Sequence, residues 1–259
     1  MKNIVLSFDD GRWDTYERAL PVLSHYGLVC TINVISDFVL HPEHYHLSCC
    51  KKGSMTKQQV LEAQERGMEI ACHGQKHKND VDGIINCIAE LNEMGVNTDN
   101  IGFASPESVL TLNNYGDVRS LKENGGLSYI RSGVQLKREG YLYAGLTIAN
   151  RYIHSKMLFQ GLNKRWMINN NQKYEILPSV SITSDIMPTQ IQYLIEHTSN
   201  EQSVILMFHS ILNPDDPGYG DGIWFWDCKK FEDMCAFFRS NADIDIITTH
   251  ELLKRNHLA

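Results

Sequence analysis

The chain has 259 residues, 42% of them apolar and 21% charged, with a formal net charge of -7. That is enough apolar material for one large α/β domain or two small ones. No Lys/Arg-rich run of the kind that lines a nucleic-acid groove occurs, so no nucleic-acid partner is expected, and no apolar run approaches the ~18 residues of a membrane span.

Met1-Lys2-Asn3 leads directly into Ile4-Val5-Leu6, without the longer apolar region and small-residue cleavage site of a secretory signal, so a cytoplasmic location is expected. Residues 3–8 read as a buried strand ending in two carboxylates, and 14–26 as a helix with Asp14 as N-cap. Residues 30–35 are β-branched and strand-like; 56–66 are helical, closed by Gly67. A strand over 68–72 runs into His73, and helical spacing over 81–94 stops at Gly95. Residues 100–104 and 127–131 read as strands around a helix at 116–123. Further strands are predicted at 142–149, 176–182 and 204–208, interleaved with helices at 155–165 and 189–197. Helices at 226–239 and 250–256 flank a last strand at 244–248.

That order makes seven or eight βα units with no Pro/Gly/Ser linker, so 1–259 reads as a single α/β domain with a parallel sheet or barrel. In such barrels chemistry gathers at the C-terminal ends of the strands. Asp9, Asp10, His73, Pro106, Arg131 and His209 all follow predicted strands. The seven cysteines form no CxxC pair and read as reduced thiols, with Cys30, Cys72 and Cys87 filling the core.

Three patterns carry chemistry. Ser7-Phe8-Asp9-Asp10-Gly11 puts adjacent carboxylates at a strand end, where a turn can bring both to one cavity; taken alone it equally describes a solvated turn. His73-Gly74-Gln75-Lys76-His77 spaces two imidazoles four residues apart, on one side of a helical turn, in a chain with eleven histidines. Ser203 to His209 is an apolar strand closed by an imidazole, suited to proton transfer or to a satisfied core position. His41, His44, His46, Cys49 and Cys50 have metal-ligand side chains but fit no zinc spacing, and read as a surface loop. Trp224 and Trp226, after the Gly/Asp/Pro-rich stretch 213–222, suit either stacking on a sugar ring or capping the core.

The order and spacing of the three patterns resemble the polysaccharide deacetylase family (NodB-type, carbohydrate esterase family 4). Ser7–Gly11 matches its first motif, His73–His77 its second with Gly74 at the small hydroxyl position, and Met207-Phe208-His209 its last; Ile246 to Leu252 is similar to its closing strand and helix. The resemblance implies a distorted (β/α)7 barrel, with Asp9 as general base, Asp10, His73 and His77 as ligands of a divalent metal, and His209 as the acid. The metal would be zinc, with cobalt, nickel or manganese as alternatives. Phe103-Ala104-Ser105-Pro106-Glu107 keeps only the proline of the third motif, R-x-P-Y/F, so Arg131 is the candidate to replace its arginine. The fourth motif is not legible; Asp185 lies where its aspartate would.

The expected function is metal-dependent removal of an N-acetyl or O-acetyl group from a sugar or glycan precursor, with Arg131, Pro106 and Trp226 as candidate substrate or supporting residues. A non-catalytic glycan-binding barrel and a metal-dependent amidohydrolase or deformylase on a non-sugar amide are the alternatives. The oligomeric state is open.

Overall fold

The computed structural model describes residues 1–133 and 139–256. Its strands are β1 (Lys2–Phe8), β2 (Thr31–Val34), β3 (Glu69–Cys72), β4 (Phe103–Ala104), β5 (Ile130–Ser132), β6 (Ile168–Asn169), β7 (Leu177–Pro178), β8 (Val180–Ser181), β9 (Gln202–Phe208), β10 (Ser210–Leu212), β11 (Phe225–Asp227) and β12 (Ile244–Ile247). The helices are α1 (Leu20–Tyr26), α2 (Ser36–Leu40), α3 (Lys57–Glu65), α4 (Val81–Met94), α5 (Gly116–Glu123), α6 (Tyr141–Ile153), α7 (Lys156–Asn163), α8 (Pro188–Glu196), α9 (Cys228–Ser240) and α10 (Thr249–Asn256).

The strands run β9-β1-β2-β3-β4-β5-β7, all parallel. The ring then returns to its start. The segment 177–181 pairs with β5 through β7 and with β9 through β8. Seven staves therefore form a nearly closed barrel, in agreement with the expected distorted (β/α)7 class. The distortion lies at β1, whose first half pairs with β12 and whose last two residues pair with β2. Short antiparallel β6 borders the start of β9.

Because helices cover the barrel, β1 and β9 are buried on both faces, which explains their uninterrupted apolar runs. Phe8 stacks on Phe208 at 5.4 Å and meets the edge of Phe231 from α9 at 5.8 Å. Cys30, Cys72 and Cys87 are fully buried in this core, as expected, and all seven cysteines are free thiols. Helix starts follow local chemistry. Thr56 and Gln59 form a reciprocal capping box on α3, and Asp80 caps α4 through the Gly83 amide at 2.7 Å.

Three expectations are corrected. Residues 142–149 are not a strand but part of α6, in which Leu142, Leu146 and Ile148 are exposed to solvent. Asp14 stands at the N-cap position ahead of the helical segment Thr15–Ala19, but its side chain does not cap it: the carboxylate accepts the Ile211 amide (2.8 Å) and the Ser210 hydroxyl (3.0 Å). Trp226 neither lines a cavity nor starts a helix. It lies in β11, fully buried, with its indole N–H donating to the Ile186 carbonyl at 2.8 Å.

Candidate metal centre and active site

Strand register places the chemistry at one level. Ser7 and Phe8 pair with Met207 and Phe208, so Asp9 follows β1 where His209 follows β9. Val34 pairs with Cys72 and Cys72 with Phe103, bringing His73 beside the end of β4. Asp10 has a left-handed backbone (φ 77°), one that Asp tolerates better than most residues. That turn sends both carboxylates into the same cavity, of about 700 Å³, which His73, His77 and His209 also line.

The donor geometry suits a divalent cation. Asp10 Oδ1 is buried without a hydrogen-bond partner among the described residues, 3.4 Å from His73 Nε2 and 3.6 Å from His77 Nε2. Two donors held at ~2.1 Å in tetrahedral zinc coordination stand ~3.4 Å apart. His73 Nδ1 lies 2.8 Å from the Ala104 carbonyl, which can only accept. That contact puts a proton on Nδ1 and leaves Nε2 as the ring nitrogen turned toward Asp10, the one that could ligate an ion. Gly74 makes the turn between the two histidines possible. It has φ 76°, and a Cβ there would come within 2.3 Å of the Lys78 carbonyl oxygen.

Asp10 Oδ2 is held separately, by Arg12 Nε at 2.8 Å and Nη2 at 2.7 Å. Arg12 is buried and its Nη1 also donates to the Ser48 carbonyl and the Ser210 hydroxyl. The sequence reading missed this residue. Its one signal was a cation set between the Asp-Asp-Gly turn and an apolar tryptophan. Burial pushes the Asp10 carboxyl up, but Arg12 and His73 outweigh it and hold it well below the usual carboxylate range.

Asp9 is arranged differently. Its Oδ1 accepts from Asn33 Nδ2 at 2.8 Å and from Arg131 Nη2 at 2.5 Å. Burial raises its pKa, and Arg131, His73 and His209 together bring it below the ordinary value. Arg131 is the registered partner of Ala104, the position where the third motif would carry arginine. Partners in a parallel pair present their side chains to the same face, so the guanidinium is supplied one strand over. Pro106 is buried outside the cavity lining, with its carbonyl accepting from Asn79, so the structure does not place it against a substrate; Glu107 and Ser108 line the cavity instead.

His209 is the least supported of the group. Its buried Nδ1 has no hydrogen-bond partner among the described residues, and Asp185, elsewhere in the cavity wall, lies 3.7 Å from Arg151. Burial pushes the imidazolium down to about 4, against the pull of Asp10. The ring lies 4.7 Å from that of Trp224, which lines the cavity and is partly exposed. His41 and His44 are exposed, whereas Cys49 and Cys50 are buried.

Residues 1–99 match the polysaccharide deacetylase family. Over 76 residues the chain is 33% identical to YxkH of Bacillus subtilis (strain 168), a protein named for the same family; the stretch covers 29% of this chain and 24% of that relative. The whole chain superposes on a family 4 acetyl xylan esterase from Clostridium thermocellum, solved in complex with a cobalt ion. The TM-score is 0.53 at 15% identity, with 93% of that chain covered. The Xyl-CE4 domain of a multidomain xylanase from the hindgut metagenome of Trinervitermes trinervoides gives a TM-score of 0.52 at 15% identity, covering 99% of this chain and 91% of that one. The fold is therefore the barrel of the NodB-type carbohydrate esterase family 4 proteins.

Proposed function

From the family match of residues 1–99 and the shared barrel, we propose that this chain is a cation-dependent deacetylase that hydrolyses the N-acetyl or O-acetyl group of a sugar. One observation carries the reading: the orphaned Asp10 Oδ1 faces two imidazole nitrogens beside a separately held, ionised Asp9. Carboxylate plus two imidazoles suits zinc, and cobalt, nickel and manganese are compatible. The bound ion would supply Lewis-acid polarisation of the acetyl carbonyl and a more acidic water.

Asp10, His73 and His77 would hold the ion, with Arg12 fixing which Asp10 oxygen is offered. Asp9, kept ionised by Arg131, takes the proton of the attacking water. His209 is neutral at pH 7 in the resting site. Negative charge developing on the substrate raises its pKa, so His209 takes up a proton from solvent water and passes it to the departing nitrogen or oxygen, while Asp9 returns the proton it took from water to solvent. Trp224, beside His209, offers an apolar ring face to a sugar.

The test is acetate release from acetylated chitooligosaccharides and acetylated xylan, run beside N-formyl and N-acyl amides. Acetate from the sugars, abolished by a chelator and by Asp9→Asn, is the expected result. Turnover confined to the non-sugar amides would indicate an amidohydrolase, and sugar binding without turnover a binding barrel.

A further inference from the structure

Helix α6 is amphipathic in an inverted sense. Tyr143, Thr147, Asn150 and Arg151 line the cavity. Tyr141, Leu142, Leu146, Ile148, Tyr152 and Ile153 face solvent, with Tyr141 99% and Tyr152 82% exposed. Only Gly145 and Ala149 lie between them on that face, so no charge interrupts it. Met157, also exposed, continues the apolar character into α7. A solvated helix face ordinarily carries polar side chains, and an exposed contiguous apolar patch marks an interaction surface.

Charge selects the occupant. Between Glu139 and Glu175 the sequence has no Asp or Glu, yet it holds Arg151, Lys156, Lys164, Arg165 and Lys173, in a chain of net charge -7. Arg151 lies near Asp185 and Arg165 pairs with Glu139, while Lys156 and Lys164 are exposed. Apolar and tyrosine side chains on one helix face, with lysines close by, match the pattern of helices that lie in the headgroup region of anionic bilayers. Among the described residues no helix is long and apolar enough to cross a membrane. A second copy of the chain would set the same cations against themselves.

We propose that the outer face of α6, with the start of α7, docks on an anionic lipid bilayer. Because the inner face of the same helix lines the cavity, docking holds that wall of the cavity within about one helix diameter, ~10 Å, of the lipid surface.

Co-sedimentation with phosphatidylcholine vesicles, with and without phosphatidylglycerol, tests this independently of turnover; Asp9→Asn is expected to bind as the wild type does. The wild type is expected to pellet with the anionic vesicles and to be released by salt. Leu142→Glu/Ile153→Glu is expected to lower partitioning at least about tenfold, and Lys156→Gln/Lys164→Gln about tenfold. Circular dichroism of the variants checks that each is folded. No binding to anionic vesicles, or equal binding by the folded apolar variant, overturns the proposal. So does a dimer without vesicle affinity that the apolar variant splits, which would assign the face to a second copy.

Discussion

Asp10 and His209 follow adjacent strands, and each buries one polar atom without a hydrogen-bond partner among the described residues, but their surroundings differ. Around Asp10 the framework is tied down: Arg12 holds Oδ2, Ala104 fixes the His73 tautomer, and Ser210 links Arg12 to Asp14. The one atom left over faces two imidazole nitrogens. Around His209 no protein group fixes the ring nitrogen, and an aromatic ring lies alongside. Leaving a buried polar atom unpaired costs about 1–3 kcal/mol, which an arriving ligand can recover. The first site could thus take a cation with little rearrangement, while the second presents an imidazole with no protein group fixing its buried ring nitrogen among the described residues.

Disabling the rigid side should have the largest effect. His73→Ala/His77→Ala is expected to lower acetate release about a thousandfold or more even with added zinc. Near-normal rates would remove the cation from the account. Asp9→Asn separates base from ligands: turnover should fall about 10²- to 10⁴-fold while cation content stays as in the wild type.

Arg131→Ala leaves a buried carboxylate without its cation, and urea titration should show a loss of about 3–5 kcal/mol. The pKa of Asp9 should rise, moving the acidic limb of the rate profile to higher pH. Arg131→Lys should recover part of both. An Arg131→Ala protein as stable as the wild type would show that the pair does not hold Asp9.

A smaller effect sharpens the contrast through pH, measured on chelated protein. Burial pushes the Asp14 carboxyl up to about 7, so the folded chain keeps a proton that the unfolded chain loses, and this contribution declines as pH rises from 4 to 7. His209 works the other way. Its folded value of about 4 lies below the ordinary 6.5, so stability declines as pH falls between them. Each contribution is on the order of 3 kcal/mol, and in the wild type they oppose one another. Urea midpoints should therefore rise from pH 4.5 to 6.5 in Asp14→Asn and fall over the same range in His209→Gln. Parallel profiles would contradict both assignments.

Much of the frame was legible because local chemistry decided it. Helix α4 covers the residues 81–94 whose spacing predicted it and ends at Gly95, and β1 and β9 announced themselves as apolar runs ending in Asp9 and His209. What stayed hidden depended on partners distant in sequence. The place of Arg131 follows from the pairing of β4 with β5, which no local pattern encodes. Arg12 is buried because Ser48 and Ser210 converge on it from far along the chain. Residues 142–149, expected as a strand, belong to helix α6, where Tyr143 and Thr147 line the cavity while Leu142, Leu146 and Ile148 are exposed. Trp226 and Trp224, two residues apart, differ because Trp226 lies within β11 and is buried, whereas Trp224 precedes the strand and lines the cavity.

The most direct measurement is cation stoichiometry by equilibrium dialysis against zinc, comparing the wild type with Asp10→Asn and Asp9→Asn. About one ion per chain in the wild type and in Asp9→Asn, with binding lost in Asp10→Asn, is the predicted result. No bound ion in the wild type, or undiminished binding in Asp10→Asn, would contradict the three-ligand centre and the function built on it.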